Sequence, residues 1–182
     1  MAIISIHITA HGIAQPADNQ TVAVNNAQDK NTIEILNLQE YAAVYDVKNS
    51  QAKTVLAKDL SARLQAGERI SILDARSPEE YNISHLRQAR RVGYIDFSSE
   101  RIWMYNRQKP IVVYCTVGER SRIVADYLLY VGFSDVSILE QSIIGWVNAG
   151  LPLVDSKNIN TSYVHIGSKD NQSLLKKGRA KW

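Results

Sequence analysis

Three branched apolar residues in a row, Ile111, Val112 and Val113, stand between Pro110 and Tyr114 with no polar residue alternating among them. A strand with one wet face alternates, whereas a strand covered on both faces reads as an unbroken apolar run. "RISILDAR", Arg69 to Arg76, and "DVSIL", Asp135 to Leu139, read as further short strands. Helical segments separate them. "AKDLSARLQAG" spaces Leu60 and Leu64 four apart and stops at Gly67. "SPEEY" offers Ser77 as N-cap, Pro78 at the first helical position and two acids in the first turn. "RSRIVADYLLYVGF" places Ile123, Val124, Tyr127, Leu128 and Val131 on one side before Gly132, and "SIIGWVNAG" ends at Gly150 ahead of Pro152. Strands alternating with helices predict an α/β layer fold around a parallel sheet.

At 182 residues and 45% hydrophobic content the chain is sufficient for one domain with extensions. The formal charge of +3 is too small to point to nucleic acid. No apolar run approaches the roughly 18 residues of a membrane span. "MAIISIHITAHGIAQ" is apolar and ends in small residues but lacks a basic start, so it reads equally as a weak signal peptide or as an N-terminal strand. A cytoplasmic location is slightly favoured, with export as the alternative. Gln15 to Asn31 reads as a loop and Thr32 to Leu38 ("TIEILNL") as a strand; after Asp155 the chain turns polar and then basic, and Lys176, Lys177, Lys181 and Arg179 read as a solvated end.

The chain has one cysteine, which rules out an internal disulfide and a multi-cysteine zinc site. Cys115 falls where the "KPIVVYC" strand ends and a helix starts after a short turn. Backbone N–H groups at a helix start lack intrahelical partners and, with the helix dipole, favour an anion. A thiolate is such an anion, and that field favours it over the inert thiol. Gly118 permits a tight bend that turns successive amides inward, and Arg120 adds a fixed positive charge. Glu119 opposes it with a carboxylate beside the loop. His85 invites a Cys–His dyad but reads more simply as a structural histidine. His7, His11 and His165 show no metal-ligand spacing, and no metal or cofactor is implied. Trp146, at helical spacing, reads as core rather than pocket wall.

"LDARSPEEY", "SHL..A", "YCTVGERS...A..L...GF..V..L" and "W...G.P", in that order, resemble a rhodanese domain, the sulfurtransferase module, from about Lys53 to Val154. The resemblance implies a three-layer fold with a central parallel sheet and helices on both faces. It divides the chain into an extension over 1–52, the domain over 53–154 and a tail over 155–182. It makes Cys115 the residue that accepts a sulfur atom as a persulfide, and Thr116, Val117, Gly118, Glu119, Arg120 and Ser121 the cradle, with Ser121 capping the helix behind it. Asp74 and Arg76 match the family's D-x-R and look like supports of the pocket rim. The implied partners are a small sulfur donor such as thiosulfate and a thiol or cyanide acceptor, with an acceptor protein also allowed. The alternatives are a binding or sensing module without turnover and a phosphatase or arsenate reductase relative. Four residues separate Cys115 from Arg120, one fewer than in the phosphatase-like relatives, which favours sulfur over phosphate. The chain departs from the family at Ser84, and at Gln141 and Ser142, where glycines are usual. If those glycines serve a positive φ, the side chains here strain the turn or reshape the pocket. A small-protein subgroup with "SHL" and a "VGY.DF" stretch, present here as Val92 to Phe97, shares the first departure.

Overall fold

The computed structural model describes residues 22–23, 34–46 and 50–182. The expected signal-like segment and the loop after it lie outside the described residues, apart from Val22–Ala23, which pairs antiparallel with Glu34–Ile35. Five parallel strands form the centre: β1 (Lys53–Val55), β2 (Ser71–Asp74), β3 (Arg90–Arg91), β4 (Ile111–Tyr114) and β5 (Val136–Leu139). They lie in the order β1-β5-β4-β2-β3, every neighbouring pair parallel.

Alternate residues of the inner strands feed two separate cores. Leu73, Ile111, Val113 and Ile138 pack on one face with Val124, Tyr127 and Leu128 of α4 (Glu119–Tyr130) and Leu38 of α1 (Leu38–Val44). Ile72, Val112, Tyr114 and Leu139 pack on the other with Leu60 of α2 (Ala57–Gln65) and Ile143, Trp146 and Val147 of α5 (Ser142–Asn148). With helices on both faces, the central strand β4 needs apolar residues at every position, which is why Ile111 to Tyr114 do not alternate. The α/β fold with a central parallel sheet is the one expected. Trp146 lies in the second core, its Nε1–H donating to the Pro152 carbonyl at 2.9 Å.

Helix α3 (Pro78–Ile83) starts as its sequence predicts, with Ser77 Oγ accepting from the Glu80 amide and the Glu80 carboxylate accepting from the Ser77 amide. Leu38 corrects the expected strand over Thr32 to Leu38. Asn37 Oδ1 accepts from the Gln39 and Glu40 amides at 2.9 and 3.1 Å, and this cap converts the chain to helix at Leu38. The N-terminal stretch is tied to α4 by Asp126, whose buried carboxylate accepts from the Tyr45 hydroxyl at 2.6 Å and from the amides of Gln51 and Ala52.

Lys176, Lys177, Arg179 and Lys181 are exposed, as expected of a solvated end, but other parts of the segment after Asp155 pack on the domain. Tyr163–His165 pairs in parallel with Arg179–Lys181, and Val164 and Ile166 are fully buried in the second core beside Leu86 and Tyr114. Burying each such side chain contributes on the order of 1.5–3 kcal/mol, enough to hold this polar stretch against the domain.

Candidate functional site

The site forms at the C-terminal end of the sheet, where ligands of open parallel sheets collect. β4 and β2 run side by side to Tyr114 and Asp74, and the Ala75 amide extends that ladder to the Tyr114 carbonyl at 2.9 Å. Cys115 follows immediately. Its amide donates to Ser142 Oγ at 3.1 Å and its carbonyl accepts from the Ile143 amide at 3.2 Å, so the start of α5 fixes its backbone. Its sulfur is enclosed, with no exposed surface.

The loop turns back on that sulfur. Gly118 sits at φ 120°, a conformation that penalises any side chain, and its amide donates to Cys115 Sγ at 3.1 Å. The amides of Val117, Glu119, Arg120 and Ser121 meet no protein acceptor among the described residues, as expected at the open start of α4. Ser121 is not the helix cap. Gly118 occupies that position, and the buried Ser121 hydroxyl donates back to the Gly118 carbonyl at 2.9 Å, bracing the bend. Val117 and Glu119 face solvent at the rim.

Arg120 does not present a free cation. Its two terminal nitrogens donate to the two Glu80 oxygens at 2.6 and 2.7 Å, and Nη2 also reaches Thr116 Oγ1 at 2.9 Å. Thr116 in turn donates to Glu80 at 2.5 Å. Burial works against the Glu80 charge, but the Arg120, Thr116 and Ser77 donors outweigh it and hold the carboxyl down to about 2. The expected attraction of Arg120 for a bound anion is thus largely cancelled, and main-chain amides remain as the chief positive element.

Asp74 and Arg76 are fully buried beneath the loop. Arg76 Nη2 donates to Asp74 at 2.6 Å and to the Ser84 carbonyl at 2.7 Å, while its guanidinium lies over the Tyr114 ring. Burial opposes the Arg76 charge, yet Asp74 outweighs it and keeps the guanidinium ionised. His85 stacks on Tyr81 with ring centroids 3.8 Å apart, and its Nδ1 is 3.0 Å from the Tyr81 carbonyl, which implies the Nδ1–H tautomer. Burial pushes its imidazole toward the neutral form. These contacts match the structural reading of His85. Among the described residues no group of His, Cys, Asp and Glu is placed to hold a metal, and no helix is long and apolar enough to cross a membrane.

The three departures from glycine separate cleanly. Ser84 has φ −169°, extended backbone open to any residue, so no strain arises there. Gln141 and Ser142 have φ 54° and 53°, two consecutive left-handed residues with side chains. The Ser142 hydroxyl, fully buried, lies 3.8 Å from Cys115 Sγ. Sequence reasoning singled out the position but not that contact, since it depends on the docking of α5 against the end of β4. It also missed Glu80. The spacing from Ser77 to Glu80 announces a capping box, yet nothing local says that the same carboxylate reaches Arg120, forty positions away in the chain. A third element absent from the expected site is the C-terminal segment. A Cβ at Gly167 would stand 3.6 Å from Thr116 Cγ2, which places this segment against the loop.

The family model for the rhodanese-like domain matches residues 56–149. A protein named tRNA uridine(34) hydroxylase, from Wigglesworthia glossinidia brevipalpis, is 29% identical over 137 residues, covering 72% of this chain and 43% of that protein. A probable adenylyltransferase/sulfurtransferase MoeZ from Mycobacterium tuberculosis is 27% identical over 123 residues, covering 65% of this chain and 31% of its own length. The chain therefore spans less than half the length of these relatives. Among solved structures, a rhodanese-related protein from Thermoplasma volcanium superposes with a TM-score of 0.50 at 24% identity, over 56% of this chain and 97% of the other, a likeness of fold.

Proposed function

The chain belongs to the rhodanese-like domain family, and on that premise we propose that it is a sulfurtransferase working through a persulfide on Cys115. The thiolate attacks the outer sulfur of a donor. With thiosulfate, a new S–S bond forms to Cys115, the old one breaks, and its electron pair leaves with sulfite. The bound persulfide then meets a nucleophile, cyanide or a thiol, which takes the outer sulfur and returns Cys115 to the thiolate. No outside oxidant or reductant is needed. One observation carries this reading: the Gly118 amide donates to Cys115 Sγ at 3.1 Å from a bend that only glycine adopts without strain. The relative named as a sulfurtransferase supports it. With Arg120 held by Glu80, the loop amides rather than a side-chain cation attract the donor.

One observation favours a second reading, a module that holds sulfur or an anion without turnover: Cys115 is completely enclosed, so the loop must yield before a donor reaches it. Intact protein incubated with thiosulfate, or with glutathione persulfide, is expected to gain one sulfur atom on Cys115 by mass spectrometry and to yield thiocyanate with cyanide. Cys115→Ser should do neither. Sulfur uptake with no transfer to any acceptor supports the binding module. No uptake from any donor overturns the sulfurtransferase and a sulfur-holding module alike, phosphate release from an aryl ester points to a phosphatase, and hydroxylated uridine in tRNA points to the activity named for the first relative.

A further inference from the structure

Ser142 occupies a conformation that resists its side chain, and what that side chain touches explains its use. Residues 141 and 142 are consecutive left-handed positions, each uphill for anything but glycine. The turn is tightly wound. The Gly145 amide donates to the Gln141 carbonyl at 2.8 Å, and a Cβ at Gly145 would fall 2.7 Å from the Glu140 carbonyl oxygen. A glycine at 142 would relax this turn, yet a hydroxyl stands there, fully buried. Its oxygen accepts from the Cys115 amide at 3.1 Å, which leaves its own hydrogen to be donated, and the partner in reach is Cys115 Sγ at 3.8 Å. The Gly118 amide approaches the same sulfur at 3.1 Å.

We propose that Ser142 is a catalytic residue for the second half of the reaction, donating a hydrogen bond to Cys115 Sγ as that atom becomes the leaving group; this rests on the sulfurtransfer reading above. When the thiolate attacks a donor, negative charge leaves Sγ, so a hydrogen bond there does not help the attack itself. When an acceptor takes the outer sulfur, the S–S bond breaks, its electron pair returns to Sγ, and negative charge grows there. A donor fixed beside Sγ stabilises that transition state more than the persulfide before it. The Gly118 amide contributes to the same end, but it belongs to the main chain, whereas Ser142 supplies a donor that glycine at this position lacks.

The test separates the two half-reactions in wild type, Ser142→Ala and Ser142→Gly. Loading is followed by mass after mixing with excess glutathione persulfide. Delivery is followed by single-turnover thiocyanate release from preloaded, desalted protein mixed with cyanide. Both variants should deliver about tenfold or more slowly, with loading changed much less. Because each ratio of delivery to loading comes from one preparation, the folded fraction cancels. The alanine variant keeps the backbone strain and the glycine variant relieves it, so a merely structural role would separate the two variants or slow both steps together. Wild type that loads and delivers, beside variants whose ratio is unchanged, overturns this inference alone. Wild type that never takes up sulfur overturns the sulfurtransfer reading, and this inference with it.

Discussion

Glu80→Gln is the sharpest test of how the site is held. The carboxylate accepts from both terminal nitrogens of Arg120, from the Thr116 hydroxyl and from the Ser77 amide. These contacts lower its pKa from 4.5 to about 2. At about 1.4 kcal/mol per pKa unit, the interaction stabilises the folded protein by about 3 kcal/mol when the carboxylate is ionised. The folded pKa lies below the unfolded one, so this stability is present in full above about pH 4.5 and is lost as pH falls toward about 2. Arg120 is 29% exposed and turns to water in the variant, which adds no further cost for a stranded cation. Urea unfolding at pH 7 should therefore show Glu80→Gln about 3 kcal/mol less stable, a midpoint about 1–3 M lower. The difference between variant and wild type should shrink through pH 4 and 3 and nearly close by pH 2. A gap under about 1 kcal/mol at pH 7, or one that persists unchanged at pH 2 to 3, refutes the claim that the ionised carboxylate organises the loop.

Asp74→Ala leaves the fully buried Arg76 without its counter-charge and should cost about 3–5 kcal/mol in urea unfolding; a loss under about 1 kcal/mol contradicts the buried pair. Ile166→Ala removes an aliphatic group from the second core and should cost about 2–5 kcal/mol, whereas a solvated tail would give no measurable change.

The layered α/β plan could be read from the chain because it is written in local patterns. Ile111 to Val113 are apolar at every position since both faces of β4 are covered, and the cap at Ser77 and the stops at Gly67, Gly132 and Gly150 follow from backbone groups within a few residues. The position of Cys115 between β4 and α4, and the need for Gly118 in the bend, were legible for the same reason. Local pattern failed at Leu38, where Asn37 and Glu40 close a capping box that overrides the strand-like alternation before it. It failed again after Asp155, because two buried residues, Val164 and Ile166, anchor a stretch whose average composition is polar. What only the tertiary structure decided is which groups face the sulfur and which face each other. Glu80 cancels Arg120, and Ser142 reaches Cys115 across a gap of twenty-seven positions in sequence. Such contacts depend on how α3 and α5 dock against the ends of neighbouring strands, and side chains brought together by packing leave no periodic trace in the sequence.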